Sequence, residues 1–282
     1  MLELKTTIAC VTLFFTRGHS CLSTFFCAIW CMVLSMDSKT KIIFIIITVI
    51  SAIYAVSTVF GITNIESGTG GMIYRLIIIV TLLFSCSLAF IGLRKETNSA
   101  IIAGALGLGM LFIFEVYSFI YIFLLKGEYG DITINNYIRS CSYLLFITAT
   151  IYLTPPVFKT HKIIRLISGI LSSCVVASVF YAVITNNLIL LLYSSIAIKI
   201  SCIIAATILY LRTPKCHPAR LFSVPLRIIC FLETIDQILI FYGNIWYLRE
   251  IIITFYPAMY LLIGYAFLKL CAIPEMEVTE NE

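Results

Sequence analysis

Charge is scarce in this sequence. Of 282 residues only 12% are Asp, Glu, Lys or Arg while 61% are hydrophobic, against roughly a quarter charged and half apolar in a water-soluble domain. So thinly charged a chain excludes an ordinary soluble enzyme or binding domain. Histidine is scarcer still. His19, His161 and His217 all fall outside the apolar runs, which removes bis-histidine haem ligation within a bundle and HExxH zinc chemistry. A P-loop, a dinucleotide fingerprint and a Gly-x-Ser-x-Gly elbow are all missing, so nucleotide hydrolysis and serine acyl transfer lack their geometry. We therefore expect no enzyme activity, no cofactor and no metal.

The net charge of +5 is scattered singly or in pairs between apolar runs, without the basic stripe that a nucleic-acid surface needs. Eleven Cys are spread mostly inside those runs, where a thiol packs as a small hydrophobe. A disulfide framework is not expected.

What is present is apolar length. A helix needs about 20 apolar residues to cross the roughly 30 Å hydrocarbon layer, and such stretches recur at 41–60, 72–93, 99–125, 138–158, 163–184, 188–211, 221–242 and 246–270. The reading is an all-α polytopic transmembrane bundle of about eight helices in up-down hairpins, occupying 36–271. Residues 1–35 are interrupted by Arg17-Gly18-His19 and form a doubtful N-terminal extension or a membrane-surface segment. The acidic tail 272–282 is expected to be disordered. Lys39, Lys41, Arg94, Lys95, Lys159, Lys162, Arg165, Arg212, Lys215, Arg220 and Lys269 fall on one side, against Arg75, Lys126, Arg139 and Arg249 on the other. Cations near short loops stay cytoplasmic, so both ends of the eight-helix body are expected in the cytoplasm and the protein in the cell membrane.

Ionisable groups within the spans are costly and need partners. Glu233, Asp236 and Gln237 share one stripe of their helix, and Lys199 lies midway along the preceding one, which predicts a Lys199–Glu233 charge pair inside the membrane. Glu115 and Asp236 are expected in the outer half, with Arg75, Arg139, Arg249 and Glu250 at its rim. Tyr117, Tyr181 and Tyr193 share that depth. Together Glu115, Tyr117, Tyr181, Tyr193, Asp236 and Arg249 form a candidate ligand-binding pocket; the competing reading is an interfacial aromatic belt and a purely structural ion pair. Arg227 is close enough to the cytoplasmic end to snorkel. Ala103–Gly107, Ala105–Gly109 and Gly169–Ser173–Ala177 predict close helix contact, and Pro257 predicts a kink or hinge in the last span.

Two functions fit this pattern. One is a membrane sensor or ligand-binding input module, taking a small-molecule ligand and signalling to a cytoplasmic effector or partner subunit. Its layout resembles the multi-helix input domains that signalling proteins place ahead of a kinase or cyclase. The alternative is a secondary transporter or accessory permease, with Glu115, Lys199, Glu233 and Asp236 as coupling groups.

Overall fold

The computed structural model describes residues 33, 36–59, 68–95, 98–125, 133–154, 177, 181, 184, 185, 187–214, 217–242 and 246–270. The tail 272–282, nearly all of 1–35 and most of the expected span 163–184 lie outside these residues. All the described secondary structure is helical. The chain divides into two compact units, Met1–Ile43 and Phe44–Glu282.

In the first unit, α1 (Ser38–Val59) begins. Asp37 precedes it and accepts a hydrogen bond from the Thr40 amide at 3.2 Å, satisfying one of the free donors of the first turn. Hydrogen bonds from the Thr40 hydroxyl and amide hold the Asp37 carboxyl below its usual range.

The second unit continues α1 and adds α2 (Gly68–Lys95), α3 (Ser99–Phe119) with a π-helical turn at Ile120–Leu124, α4 (Thr133–Leu153), α5 (Leu188–Arg212), α6 (Pro218–Tyr242), α7 (Trp246–Ile253) and α8 (Tyr256–Leu270). Local signals set the starts. Asn98 caps α3 through the Ala100 amide and Asn187 caps α5 through the Leu190 amide. Pro218 occupies the first position of α6, where its missing N–H costs nothing, and the ring Nδ1 of His217 accepts from the Ala219 amide at 3.2 Å.

The segments Ser38–Ser57, Thr69–Arg94, Ser99–Leu124, Ile189–Arg212 and Leu248–Leu270 are long and apolar enough to cross a membrane. On α1, Ile45, Ile46, Val49, Ile53 and Val56 are exposed at helical spacing; on α3, Ile102, Leu106, Ile113 and Ile120 are. Apolar stripes of this extent belong against lipid. The chain is an all-helical membrane protein. The expected number of eight spans is not reproduced by the described residues, because 163–184 lies mostly outside them, the apolar part of α4, Ile138–Leu153, is short, and α6 carries four charges: Arg220, Arg227, Glu233 and Asp236.

Neighbours in sequence pack side by side from α2 to α7, with the partner of α4 being α5, while α8 packs on α2, α3 and α6. Every residue of α8 from Tyr256 to Phe267 is buried, as expected of a helix that is apolar all round. It sits close to its neighbours. A Cβ at Gly264 would lie 2.7 Å from the Ser85 Cα of α2, and one at Gly104 of α3 would fall within the Phe267 ring. Gly107 approaches Phe146 as its small-residue spacing predicts, whereas nothing lies within 4 Å of a Cβ at Gly109. Ala177 is exposed, and Gly169 and Ser173 lie outside the described residues.

The expected kink at Pro257 is a full interruption between α7 and α8. Proline has no N–H to offer the carbonyl four residues earlier, and the preceding amides turn inward: Thr254 bonds to Glu250 and Ile251, and Phe255 to Ile252. The carbonyl left without its helical donor is that of Ile253. The Tyr74 hydroxyl of α2 donates to it at 3.4 Å.

Candidate functional site

Side-chain contacts bring residues late in α3 and α6 to the level of residues early in α2, α4, α7 and α8. That level holds the buried charge. Seven residues into α2, Arg75 places Nη1 2.7 Å from Glu115 Oε2 late in α3, with side chains 4% and 0% exposed. Early in α4, Arg139 places Nη2 2.7 Å from Glu233 Oε1. Lys199 Nζ, from α5, is 3.4 Å from the other oxygen of the same carboxylate, Glu233 Oε2. A fourth helix reaches Glu233 through the Tyr260 hydroxyl, 3.5 Å from Oε1.

The two cations on Glu233 are held differently. Arg139 makes a short hydrogen-bonded pair and its guanidinium also lies over the rings of Phe114, at 4.7 Å, and Tyr256, at 5.6 Å, contacts that favour a planar cation. Lys199 makes an ion pair without a hydrogen bond and stands 5.8 Å from the Tyr143 ring centroid. Two further links complete the cluster. Arg249 of α7 donates from Nε to Asp236 at 2.9 Å, and Gln237 donates to the Ser195 hydroxyl of α5 at 3.0 Å. Four cations (Arg75, Arg139, Lys199, Arg249) thus pair with three carboxylates (Glu115, Glu233, Asp236), and Glu250, next to Arg249 in the chain and 1% exposed, brings the charges to four of each sign. Buried charge tolerates low dielectric only when matched in this way.

Toward the opposite end the interior becomes apolar. Tyr143 leads to Phe146 at 6.0 Å, Phe146 to Phe222 at 6.4 Å and Phe222 to Phe267 at 4.7 Å, measured between ring centroids. These rings lie between the charge cluster and the end of the bundle that carries the α2–α3 and α5–α6 turns.

Several sequence expectations change place. Glu115, Asp236 and Arg249 lie in ion pairs, each closed by a partner from another helix or, for Asp236, from α7. Tyr117, Tyr181 and Tyr193 are 38%, 61% and 55% exposed and stand on the surface, not with these carboxylates. Helical rotation explains two of them: at 100° per residue Tyr117 is turned about 200° from Glu115, and Tyr193 about 240° from Lys199. Arg75, Arg139 and Glu250, expected at a rim, are buried at 3%, 8% and 1%. The tyrosines that do surround Glu233 are Tyr143, Tyr256 and Tyr260, all buried. Their sequence signal is the i, i+4 repeat of Arg139 with Tyr143 and of Tyr256 with Tyr260, which places each pair on one face. Among the described residues no three His, Cys, Asp or Glu side chains gather as a metal ion requires, and Cys86, Cys202 and Cys230 are buried thiols outside any disulfide.

Compared with protein-family models, with curated proteins and with solved structures, the chain matches none.

Proposed function

We propose that the protein is a membrane sensor, an input module in which a small ligand entering the charged half changes the pairing of Glu233 and thereby the seating of α8. One observation carries this reading: Glu233 is shared by a tightly held Arg139 and a loosely held Lys199, and it touches α8 through Tyr260. A ligand bearing a carboxylate or a comparable acceptor competes with Glu233 for Lys199 and leaves the Arg139 pair in place. The aromatic packing of Phe146, Phe222 and Phe267 beneath the cluster supports a dead-end site over a conducting one. No catalytic step belongs to this reading.

In it, Glu115, Asp236 and Arg249 remain ligand-facing groups, Pro257 is the hinge, and the charged half faces outward. The 36–271 body keeps both ends in the cytoplasm of the cell membrane, and the effector is a separate subunit that reads the Lys269 end of α8. Amide hydrogen exchange in lipid nanodiscs tests it. Lys199→Met and Glu233→Gln should each alter protection across 250–262, the segment around the α7–α8 interruption. Unchanged exchange there in both variants would remove the sensor reading.

A secondary transporter is the alternative, favoured by the interruption of a helix at the level of the buried charges, where transporters commonly place their sites. It requires proton uptake by pH-dye-loaded proteoliposomes, or solute counterflow, that disappears in Asp236→Asn or Glu233→Gln. Flux indifferent to both substitutions counts against it.

A further inference from the structure

On the α5 side of Glu233, four buried polar atoms have no hydrogen-bond partner among the described residues: Lys199 Nζ, Glu233 Oε2, Gln237 Oε1 and Tyr143 Oη. They come from three packed helices. Ser195 and Lys199 are one turn apart on α5, and Glu233 and Gln237 one turn apart on α6. The hydrogen bond from Gln237 to Ser195 and the Lys199–Glu233 ion pair therefore stack along a single α5–α6 seam. Tyr143 faces that seam from α4, its ring centroid 5.8 Å from Lys199 Nζ. Lys199, Glu233 and Tyr143 are all 0% exposed.

The other oxygen of the same carboxylate is taken. Glu233 Oε1 accepts from Arg139 at 2.7 Å and from Tyr260 at 3.5 Å, whereas Lys199 Nζ stands 3.4 Å from Oε2 without a hydrogen bond to it. Leaving an ammonium and a carboxylate oxygen unbonded in a buried site costs more than immobilising one water molecule there.

The unmet groups define what satisfies them. Lys199 only donates, Glu233 Oε2 and Gln237 Oε1 only accept, and the Tyr143 hydroxyl does either, so the occupant must both donate and accept. It must be small, since Nζ and Oε2 are 3.4 Å apart and a single heavy atom reaches both. It must also be neutral: the cluster already holds four charges of each sign, and an added ion would stand unmatched in a low dielectric. Water meets all three conditions, and buried waters typically sit on about three such groups. Beyond Tyr143 the rings of Phe146 and Phe222 offer water no partner, and hydration ends there.

We infer that Lys199, Glu233, Gln237 and Tyr143 form a buried binding site for ordered water, in which one water bridges Lys199 Nζ to Glu233 Oε2. The loosely held side of Glu233 is thus its hydrated side. The site needs only these contacts and stands whether the protein is a sensor or a transporter.

Hydroxyl-radical footprinting by synchrotron radiolysis of the full chain in lipid nanodiscs tests it, because radicals made from water bound inside a protein oxidise the side chains that touch it. Tyr74 is the reference: it is the same residue type, also 0% exposed, and its hydroxyl is occupied by the Ile253 carbonyl. Peptide mass spectrometry should find Tyr143 oxidised roughly tenfold faster than Tyr74, because only one of the two hydroxyls is wetted, with Phe146 and Phe222 as protected as Tyr74. Lys199→Met removes the donor and should bring Tyr143 down toward Tyr74. If that variant fails to fold, the comparison of Tyr143 with Tyr74 in the wild type decides alone. Protection of Tyr143 equal to that of Tyr74 overturns the site, as does equally fast oxidation of Tyr74, Phe146 and Phe222, which would mean water throughout the bundle. Unchanged oxidation of Tyr143 in a folded Lys199→Met variant overturns Lys199 as a ligand of the water. Exchange across 250–262 reads the sensor proposal separately.

Discussion

The Tyr74 hydroxyl and Pro257 are linked through a carbonyl that neither of them owns. Pro257 deprives the Ile253 oxygen of its helical donor, and Tyr74, on a different helix, supplies one at 3.4 Å. An unsatisfied carbonyl in a lipid-surrounded interior costs about 1–3 kcal/mol. Tyr74→Phe should therefore lower unfolding stability by an amount in that range in the wild-type background. In a Pro257→Ala background, where residue 257 regains its N–H, the same substitution should cost less by about 1 kcal/mol. Thermal or denaturant unfolding of the four proteins closes the cycle, and strictly additive effects would show that the two residues do not share this carbonyl.

Glu233 is the group whose loss should be felt most. Replacing it with Gln leaves Arg139 and Lys199 buried beside a neutral amide, and breaking one side of a buried pair costs about 3–5 kcal/mol. Adding Lys199→Met to Glu233→Gln should restore part of that loss, since one unmatched cation is then gone. Glu115→Gln should show the same pattern with Arg75, rescued by Arg75→Met. If the double variants are less stable than the singles in detergent unfolding, the clusters are not held by charge matching.

How much of this could be read beforehand depended on the kind of signal. Apolar length located α1, α2, α3 and α5 to within a few residues, because a bilayer imposes length directly on the chain. The ionisable residues within spans were equally visible, since they stand out against an apolar background. Their partners were harder. Depth along a helix is readable at 1.5 Å per residue, but rotation about the axis depends on which neighbours pack where, and so exposed tyrosines at 117, 181 and 193 shared a depth with Glu115 without sharing its face. Arg139 illustrates the same limit: seen from the sequence it is near a helix start and hence near water, yet its long side chain turns inward to Glu233. Pro257 announced a disturbance, while the stabilising Tyr74 is 183 positions away and leaves no local trace.

Outside the membrane spans, Asp37 offers a pH-dependent contact. Thr40 stabilises its carboxylate and lowers its pKa, so the folded state binds this proton less readily than the unfolded one. The associated stability is present above the ordinary carboxylate pKa and is lost as pH falls through the lowered value. The Thr40 amide should accordingly exchange more slowly near neutral pH than below about pH 3 after correction for intrinsic rates, and Asp37→Ala should abolish the difference. A residual pH effect of equal size in that variant would assign it to another group.

Gly264 and Gly109 differ in what a methyl group would meet, and this separates packing from helix propensity. At Gly264 the new Cβ would stand 2.7 Å from the backbone of Ser85; backbone cannot rotate aside, so α8 must shift away from α2. Gly264→Ala should destabilise by about 1–3 kcal/mol, the range for overpacking a dense interior. At Gly109 nothing lies within 4 Å, and Gly109→Ala should be neutral or stabilising by up to about 1 kcal/mol, the difference in helix preference between the two residues. Gly104→Ala tests the intermediate case, because the obstacle is the Phe267 ring, a side chain; pairing it with Phe267→Leu should recover most of the loss. The ordering of Gly264→Ala below Gly104→Ala below Gly109→Ala in unfolding midpoint is the measurement, and a Gly264→Ala variant as stable as the wild type would mean that α2 and α8 do not approach this closely.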